Sequence, residues 1–159
     1  MNTNEQVTAE GLINEMPRLL ERLNTASRVR VAEVVPGNAQ SGVYALFEGN
    51  TCVYVGRTRN HARRLKQHSG SASRENQAAL AFSLTREALN LPPADYSSGN
   101  SRKSLMRRND VKATFQEQKR RIAAMEVSFV EVEDGPKQAM FEIYAAIALR
   151  ASHSKFLTH

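Results

Sequence analysis

The sequence predicts an α+β fold in which a small antiparallel β-sheet is flanked by helices. Two short β-prone segments are joined by Gly49-Asn50, which is a hairpin turn signal. Apolar residues recur with helical spacing before and after that pair of segments, so helices are predicted on both sides of the hairpin. Because a lone hairpin is not stable in water, further strands or packed helices must cover it.

Each predicted element has a local signal. Helices are predicted where apolar residues recur every three or four positions, over residues 8–24, about 60–68, 74–90, 101–123 and 137–150. Strands are predicted where apolar and β-branched residues alternate or cluster, over residues 28–35, 42–47, 51–55 and 125–132. The first helix contains Pro17, which removes a donor. Its apolar stripe is Leu12, Ile13, Met16, Leu19, Leu20 and Leu23.

Length and composition limit the class of protein. The 159 residues suffice for one domain, and 41% hydrophobic with 24% charged residues is a globular composition. The single cysteine, Cys52, excludes an intramolecular disulfide and a multi-cysteine zinc cluster, and we expect it to be a small buried residue. No apolar run approaches the ~20 residues that span a bilayer, and the polar first ten residues are unlike a signal peptide. We therefore expect a cytoplasmic protein with no membrane partner.

Positive charge is concentrated in two segments. The chain has 22 Lys and Arg against 16 Asp and Glu, a formal charge of +6. Residues 57–74 contain six basic residues and no acid, and residues 102–121 contain eight basic residues and two acids. Two such segments indicate a polyanionic partner such as nucleic acid, because Lys and Arg neutralise phosphates. The alternative is that both segments are solvated helix faces.

Two tripeptides resemble the paired motif of a known family. Gly42-Val43-Tyr44 and Tyr54-Val55-Gly56 place their tyrosines ten residues apart, and the sequence here resembles the GIY-YIG nucleases. Arg64 follows Tyr54 by ten residues, where that family has a helical arginine. His68 lies one helical turn beyond Arg64, where the family often has a histidine. Glu142 resembles the family's metal-binding glutamate on a late helix.

The resemblance extends from Gly42 to the C-terminus and is greatest with the bacterial, restriction-endonuclease-like branch. It implies one domain over residues 1–159, with an N-terminal helical extension over 1–27 and a basic helical insertion over 73–123. It implies a metal-dependent DNA endonuclease, with a site-specific restriction-type enzyme as one form. The family usually has an asparagine after the glutamate helix. Here His153 or Ser154 stands in that place.

The resemblance also implies roles for individual residues. Glu142 would hold Mg²⁺ or Mn²⁺, since a carboxylate suits a hard cation that retains several waters. Tyr54 would order water or assist proton transfer, and either Tyr44 or His68 would accept the proton. The catalytic candidates are Tyr44, Tyr54, Arg64, His68 and Glu142. The candidate phosphate or DNA contacts are the cationic donors Arg57, Arg63, Arg107, Arg108 and Lys112, because such donors bind phosphate. Ser154, in the place of the family's asparagine, is a further candidate.

The same residues could instead have purely structural roles. The tyrosines are common strand residues, and His68 would suit the negative end of a helix dipole. Glu142 lies among apolar neighbours and must reach solvent, a basic partner or a metal, because burying it unpaired is costly.

The insertion has two interpretations. Its basic residues, Lys119 among them, would lie along the DNA backbone and provide affinity without sequence information. Alternatively, the insertion is a dimerisation arm that uses Leu105, Phe115 and Ile122. A homodimer stays open as a partner, because a double-strand cut needs two active sites or two sequential nicks.

Two further functions compete with a nuclease. The first is a catalytically weak nucleic-acid-binding module that retains the nuclease fold, which the missing late asparagine favours. The second is a helical interaction protein whose basic helices bind an acidic partner.

Overall fold

The structure is a computed structural model that describes residues 7–37, 39–93, 95 and 97–154. Within these residues the helices are α1 (Ala9–Thr25), α2 (His61–Ser69), α3 (Ala79–Ala88), α4 (Arg102–Leu105), α5 (Asn109–Ala124) and α6 (Gly135–Ala148). The strands are β1 (Val29–Arg30), β2 (Gly42–Glu48), β3 (Thr51–Thr58) and β4 (Glu126–Glu131). They form a four-stranded antiparallel sheet in the order β1-β4-β2-β3. The predicted α+β class and small antiparallel sheet are confirmed.

The predicted hairpin is formed by β2 and β3. Gly49 in the turn has a φ of +57°, a conformation that glycine adopts without steric cost, so the chain reverses where the sequence predicts. Tyr44 lies directly opposite Gly56, and Val43 lies directly opposite Arg57. Because successive side chains of a strand point to opposite faces, these two cross-strand pairs lie on opposite faces of the hairpin.

The first of two compact units contains α1, β2, β3, α6 and nearly all of β4. Helix α6 packs on β2 and β3, and α1 packs on α6. One face of the hairpin contributes Val43, Ala45 and Val55 to a core that also includes Phe141 and Ala145 of α6. This packing fixes α6, the helix that carries Glu142, over one face of the hairpin.

Helix α1 begins one residue after its predicted start. Thr8 caps it, because its Oγ1 accepts a hydrogen bond from Gly11 N at 3.1 Å. Pro17 lies on the exposed side, and the helix continues through it. Four of the six predicted stripe residues are fully buried: Leu12, Met16, Leu19 and Leu23. Ile13, also in the apolar stripe, is 53% exposed and lies at its edge.

The second compact unit contains β1, α2, α3, α4 and α5. Helix α5 packs against both α2 and α3, and the ring centroids of Phe82 and Phe115 are 6.1 Å apart. Leu105, Phe115 and Ile122 are all buried. Because these side chains face the protein interior, the interpretation of the insertion as a dimerisation arm built on them is wrong. The helices of the insertion instead build a core with α2.

The predicted strand over residues 28–35 is much shorter. After the two residues of β1, a short 3₁₀ helix covers Val31–Glu33. Val31 N donates to Met125 O at 2.9 Å, and Val34 N donates back to Val31 O at 3.3 Å. The turn buries Val31, and that burial outweighs the strand propensity of the alternating sequence.

The two predicted helices of the insertion also differ from the structure. Residues 75–77 form a turn, in which Gln77 N donates to Arg74 O at 3.0 Å, and α3 begins only at Ala79. The predicted helix over 101–123 is divided into α4 and α5 by extended backbone at Arg108. Asp110 Oδ1 accepts from Val111 N at 2.9 Å, so an acid starts α5 where the helix dipole favours it.

Candidate active site

The two motif tyrosines form a pair on one face of the hairpin. Their ring centroids are 6.1 Å apart, with Tyr44 buried and Tyr54 half-buried. Gly56 makes this pair fit: a Cβ at Gly56 would lie 2.6 Å from Tyr44 Oη and 2.7 Å from Tyr54 Cε1. The glycine of the second tripeptide therefore has a packing reason, since another residue type would push the tyrosine rings away.

Arg57 and Glu142 form an ion pair on the face of the hairpin that does not carry the tyrosines. Arg57 Nε lies 3.1 Å from Glu142 Oε2. The carboxylate also accepts the backbone N–H of Arg57. Burial raises the pKa of Glu142, while the charge and hydrogen bonds of Arg57 oppose that rise. The predicted requirement that Glu142 reach a basic partner, solvent or a metal is met by Arg57.

The tyrosine pair and the ion pair flank one peptide group from opposite faces of the hairpin. Tyr44 Oη packs over Gly56, and the Glu142 carboxylate binds the N–H of the next residue, Arg57. Four predicted site residues, Tyr44, Tyr54, Arg57 and Glu142, are therefore brought to the C-terminal end of β3. We call these four residues the β3-end cluster.

Ser154 lies beside the same strand, where it satisfies the edge of the sheet. Its Oγ accepts from Val55 N at 2.8 Å and donates to Val55 O at 3.2 Å. One residue earlier, His153 N donates to Val53 O at 2.8 Å. The segment after α6 thus covers backbone groups of an edge strand that would otherwise be open to pairing. Ser154 is close to the β3-end cluster along the strand, but its hydroxyl is committed to the backbone.

Arg64 and His68 belong to the second compact unit. They lie one turn apart on α2, as predicted. Arg64 Nη1 donates to Gln77 O at 3.1 Å and to Gln67 Oε1 at 3.3 Å. His68 is completely buried. Burial, and secondarily the charge of Arg64, lowers the pKa of His68 to about 3, so the imidazole is neutral near pH 7.

Burial of neutral His68 predicts acid sensitivity. In the unfolded chain its pKa is about 6.5, so between pH 6.5 and about 3 the unfolded state binds more protons than the folded state. The free energy of unfolding should therefore fall as the pH is lowered through this window, by at most about 1.4 kcal/mol per pH unit from this residue. Urea denaturation at a series of pH values should show a shallower fall for His68→Leu than for the wild type. Equal slopes for the two proteins would contradict this origin of the acid sensitivity.

The candidate DNA contacts of the second unit differ in what they do. Arg63, Arg107 and Lys112 are exposed, as a polyanion footprint requires. Arg108 is exposed as well, but it forms a bidentate ion pair with Asp110, with Nη2 to Oδ2 at 2.6 Å. Its charge is therefore partly neutralised before any partner binds.

Lys119 was counted among the basic surface residues, and this assignment is wrong. It is 1% exposed, and its Nζ donates to the carbonyl oxygens of Gly70, Ser71 and Ser73 at 2.8–3.0 Å. Burial lowers its pKa. The lysine holds the segment that follows α2 and belongs to the scaffold.

Cys52 is buried, as predicted, and burial raises the pKa of its thiol to about 11.

Among the described residues, no three His, Cys, Asp or Glu side chains are grouped so that they would hold a metal ion. Glu142 would supply a single carboxylate to a metal ion, in keeping with the few protein oxygens that Mg²⁺ uses. The helices in the described part of the chain include none that is long and apolar enough to cross a membrane.

Comparison with known proteins gives no assignment: no family model matches the chain, and neither curated proteins nor solved structures show a significant match.

Proposed function

We propose that the protein is a metal-dependent DNA endonuclease of the GIY-YIG type, with a site-specific, restriction-like enzyme as the form to test first. The observation that carries the proposal is the β3-end cluster, in which two tyrosines on one face of the hairpin and an arginine–carboxylate pair on the other flank the Gly56–Arg57 peptide. Hydrolysis of a phosphodiester needs a proton acceptor, a cation at the phosphate and a carboxylate for a metal, and these residue types supply all three.

Each residue of the cluster has a proposed task. Glu142 would hold Mg²⁺ or Mn²⁺ through its carboxylate. The bound ion would neutralise charge on the phosphate and lower the pKa of water. Arg57, whose side chain is 49% exposed, would bind the phosphate, since its guanidinium stays charged at any working pH.

The remaining roles follow from exposure. Tyr54 is half-buried and is the tyrosine of the pair that solvent or substrate reaches, so it would order water. Tyr44 and His68 stay as alternative proton acceptors, and both are buried. Arg64 and His68 stay predictions of the resemblance, and single substitutions at each test them.

A catalytically weak nucleic-acid-binding module is the second candidate. Two observations favour it. Tyr44 and His68 have almost no exposed surface, and the Ser154 hydroxyl, at the place of the family's asparagine, is bound to Val55. Such a module would bind DNA with a strong dependence on salt and would not cut it.

Plasmid cleavage tests the proposal. Wild-type protein with Mg²⁺ should convert supercoiled plasmid into discrete fragments, EDTA should stop the reaction, and Glu142→Gln should abolish it, because the amide is a neutral ligand. Glu15→Gln is the matched control: Glu15 pairs with Lys137 of α6 at 2.7 Å, so the change removes another ion pair of the same helix. This control should cut like the wild type.

The other outcomes are equally informative. Nicking that Glu142→Gln abolishes would keep the chemistry and indicate a non-specific or structure-selective enzyme. Cleavage that survives in Glu142→Gln would show that Glu142 is not the metal ligand. Tight DNA binding by a wild type that does not cut would favour the binding module.

A further inference from the structure

The ion pair of the β3-end cluster joins the proposed phosphate ligand to the proposed metal ligand. Arg57 Nε and Glu142 Oε2 are 3.1 Å apart, and 49% of the arginine side chain and 23% of the glutamate side chain are exposed. In this contact each charge opposes the binding of the ligand proposed for its partner. The guanidinium repels a cation at Glu142, and the carboxylate repels a phosphate at Arg57.

We propose that Arg57 is a positioning residue that couples the two ligands: a phosphodiester draws the guanidinium away from Glu142, and the freed carboxylate then accepts a divalent cation. This inference rests on the proposed function and adds an order of binding to it. Without DNA the carboxylate is already neutralised, so the cation binds weakly. With DNA bound, a partly buried carboxylate has lost its counter-ion and favours a new one.

The geometry allows the guanidinium to leave while the carboxylate stays in place. Glu142 accepts the backbone N–H of Arg57 as well as the side-chain Nε. The backbone contact belongs to β3 and does not depend on the arginine side chain. Because that side chain is half-exposed, it can turn toward a phosphate without disturbing the packed core.

Linkage makes the coupling reciprocal. If the phosphodiester raises the affinity for the cation by some factor, the cation raises the affinity for DNA by the same factor. Couplings of this kind usually amount to about 5–150-fold. A residue that only stabilised the fold would not raise metal affinity when it is removed, so a gain of metal binding separates the two roles.

Mn²⁺ titration of the DNA-free protein, followed by electron paramagnetic resonance, tests the inference. Arg57→Gln should bind Mn²⁺ at least about fivefold more tightly than the wild type. Glu142→Gln should lose the site, and Arg57→Lys should resemble the wild type because it keeps a cation beside the carboxylate. Lys137→Gln is the matched control, since Lys137 forms the other ion pair of α6, at 2.7 Å from Glu15, and should leave the affinity unchanged.

A second measurement follows the other side of the linkage. Fluorescence anisotropy with a hydrolysis-resistant phosphorothioate duplex should show that Mn²⁺ tightens DNA binding by the wild type and by Lys137→Gln. The same addition, at constant ionic strength, should tighten binding by Arg57→Gln less than binding by the wild type, because only the direct attraction between the ion and the phosphate is left. All variants are compared by circular dichroism to confirm that they are folded.

The outcomes separate this inference from the proposed function. Equal Mn²⁺ affinity in wild type and Arg57→Gln, with a Glu142-dependent site in both, would overturn the coupling and leave the nuclease proposal standing. A complete lack of a Glu142-dependent Mn²⁺ site in the wild type and in Arg57→Gln would overturn both.

Discussion

Replacing Lys119 with methionine should lower the free energy of unfolding by about 1.5–3 kcal/mol. The side chain of Lys119 is 1% exposed and supplies hydrogen bonds to three carbonyl oxygens, those of Gly70, Ser71 and Ser73. Methionine has a similar length but no donor, so the three carbonyl groups would lose their partner inside the protein. Urea denaturation followed by circular dichroism measures the change.

Lys112→Met is the matched control for that change. Lys112 lies on the same helix, two turns earlier, and is exposed. Its replacement should alter the free energy of unfolding by less than about 0.5 kcal/mol. Similar losses of stability in the two variants would mean that the hydrogen bonds to residues 70–73 contribute little.

The burial of Lys119 shows what helical periodicity can and cannot predict. The buried stripe of α5 is Val111, Phe115, Lys119 and Ile122, at steps of four, four and three residues. That spacing places a lysine among core positions, so the burial of Lys119 could have been predicted from the sequence. The carbonyl partners of Lys119 could not have been predicted, because they lie 46–49 residues away along the chain.

Elements with strong local signals were predicted well, and elements that depend on tertiary contacts were not. The hairpin follows from Gly49-Asn50 and its flanking strands, but a register shift between Leu46 and Phe47, which the turn does not predict, places Tyr44 opposite Gly56. The region after β1 has the alternation of a strand, yet it turns because burying Val31 is more favourable. The break before α5 lies at the extended backbone of Arg108, which no periodicity reveals.

The candidate site shows the same division. Spacing alone predicted that Tyr44 and Tyr54 would be neighbours on adjacent strands, and their rings are 6.1 Å apart. Arg57 and Glu142 were each singled out from the sequence, but their contact joins residues 85 positions apart and is set by the packing of α6 on the hairpin. Only the fold unites the two kinds of residue.

Net charge alone overestimates the surface that can bind a polyanion. In the two basic segments, Arg64, Arg102 and Lys119 all donate to backbone carbonyl groups within the second unit. These contacts hold loops in place and are compatible with a folded scaffold that binds nothing. The exposed members of the segments, such as Arg63, Arg107 and Lys112, are therefore the ones whose substitution should change DNA affinity.

Replacing Gly56 with alanine should reduce both stability and cleavage. The new Cβ would lie 2.6 Å from Tyr44 Oη, 2.8 Å from Tyr44 Cζ and 2.7 Å from Tyr54 Cε1, so both rings would have to move. We expect a loss of about 1–3 kcal/mol in the free energy of unfolding, because Tyr44 is 1% exposed and has little room to shift. Displacing the tyrosines by about 1 Å should reduce plasmid cleavage about 100-fold.

Gly99→Ala is the control that isolates the crowding at Gly56. A Cβ at Gly99 would meet nothing within 4 Å, so stability should change by less than about 0.5 kcal/mol and cleavage should be unchanged. Near-UV circular dichroism reports on the tyrosine environments directly, and it should change for Gly56→Ala alone. If Gly56→Ala matched Gly99→Ala in stability, cleavage and spectrum, the tyrosine pair would not depend on the missing side chain. Gly56 would then not be required for the geometry of the tyrosine pair.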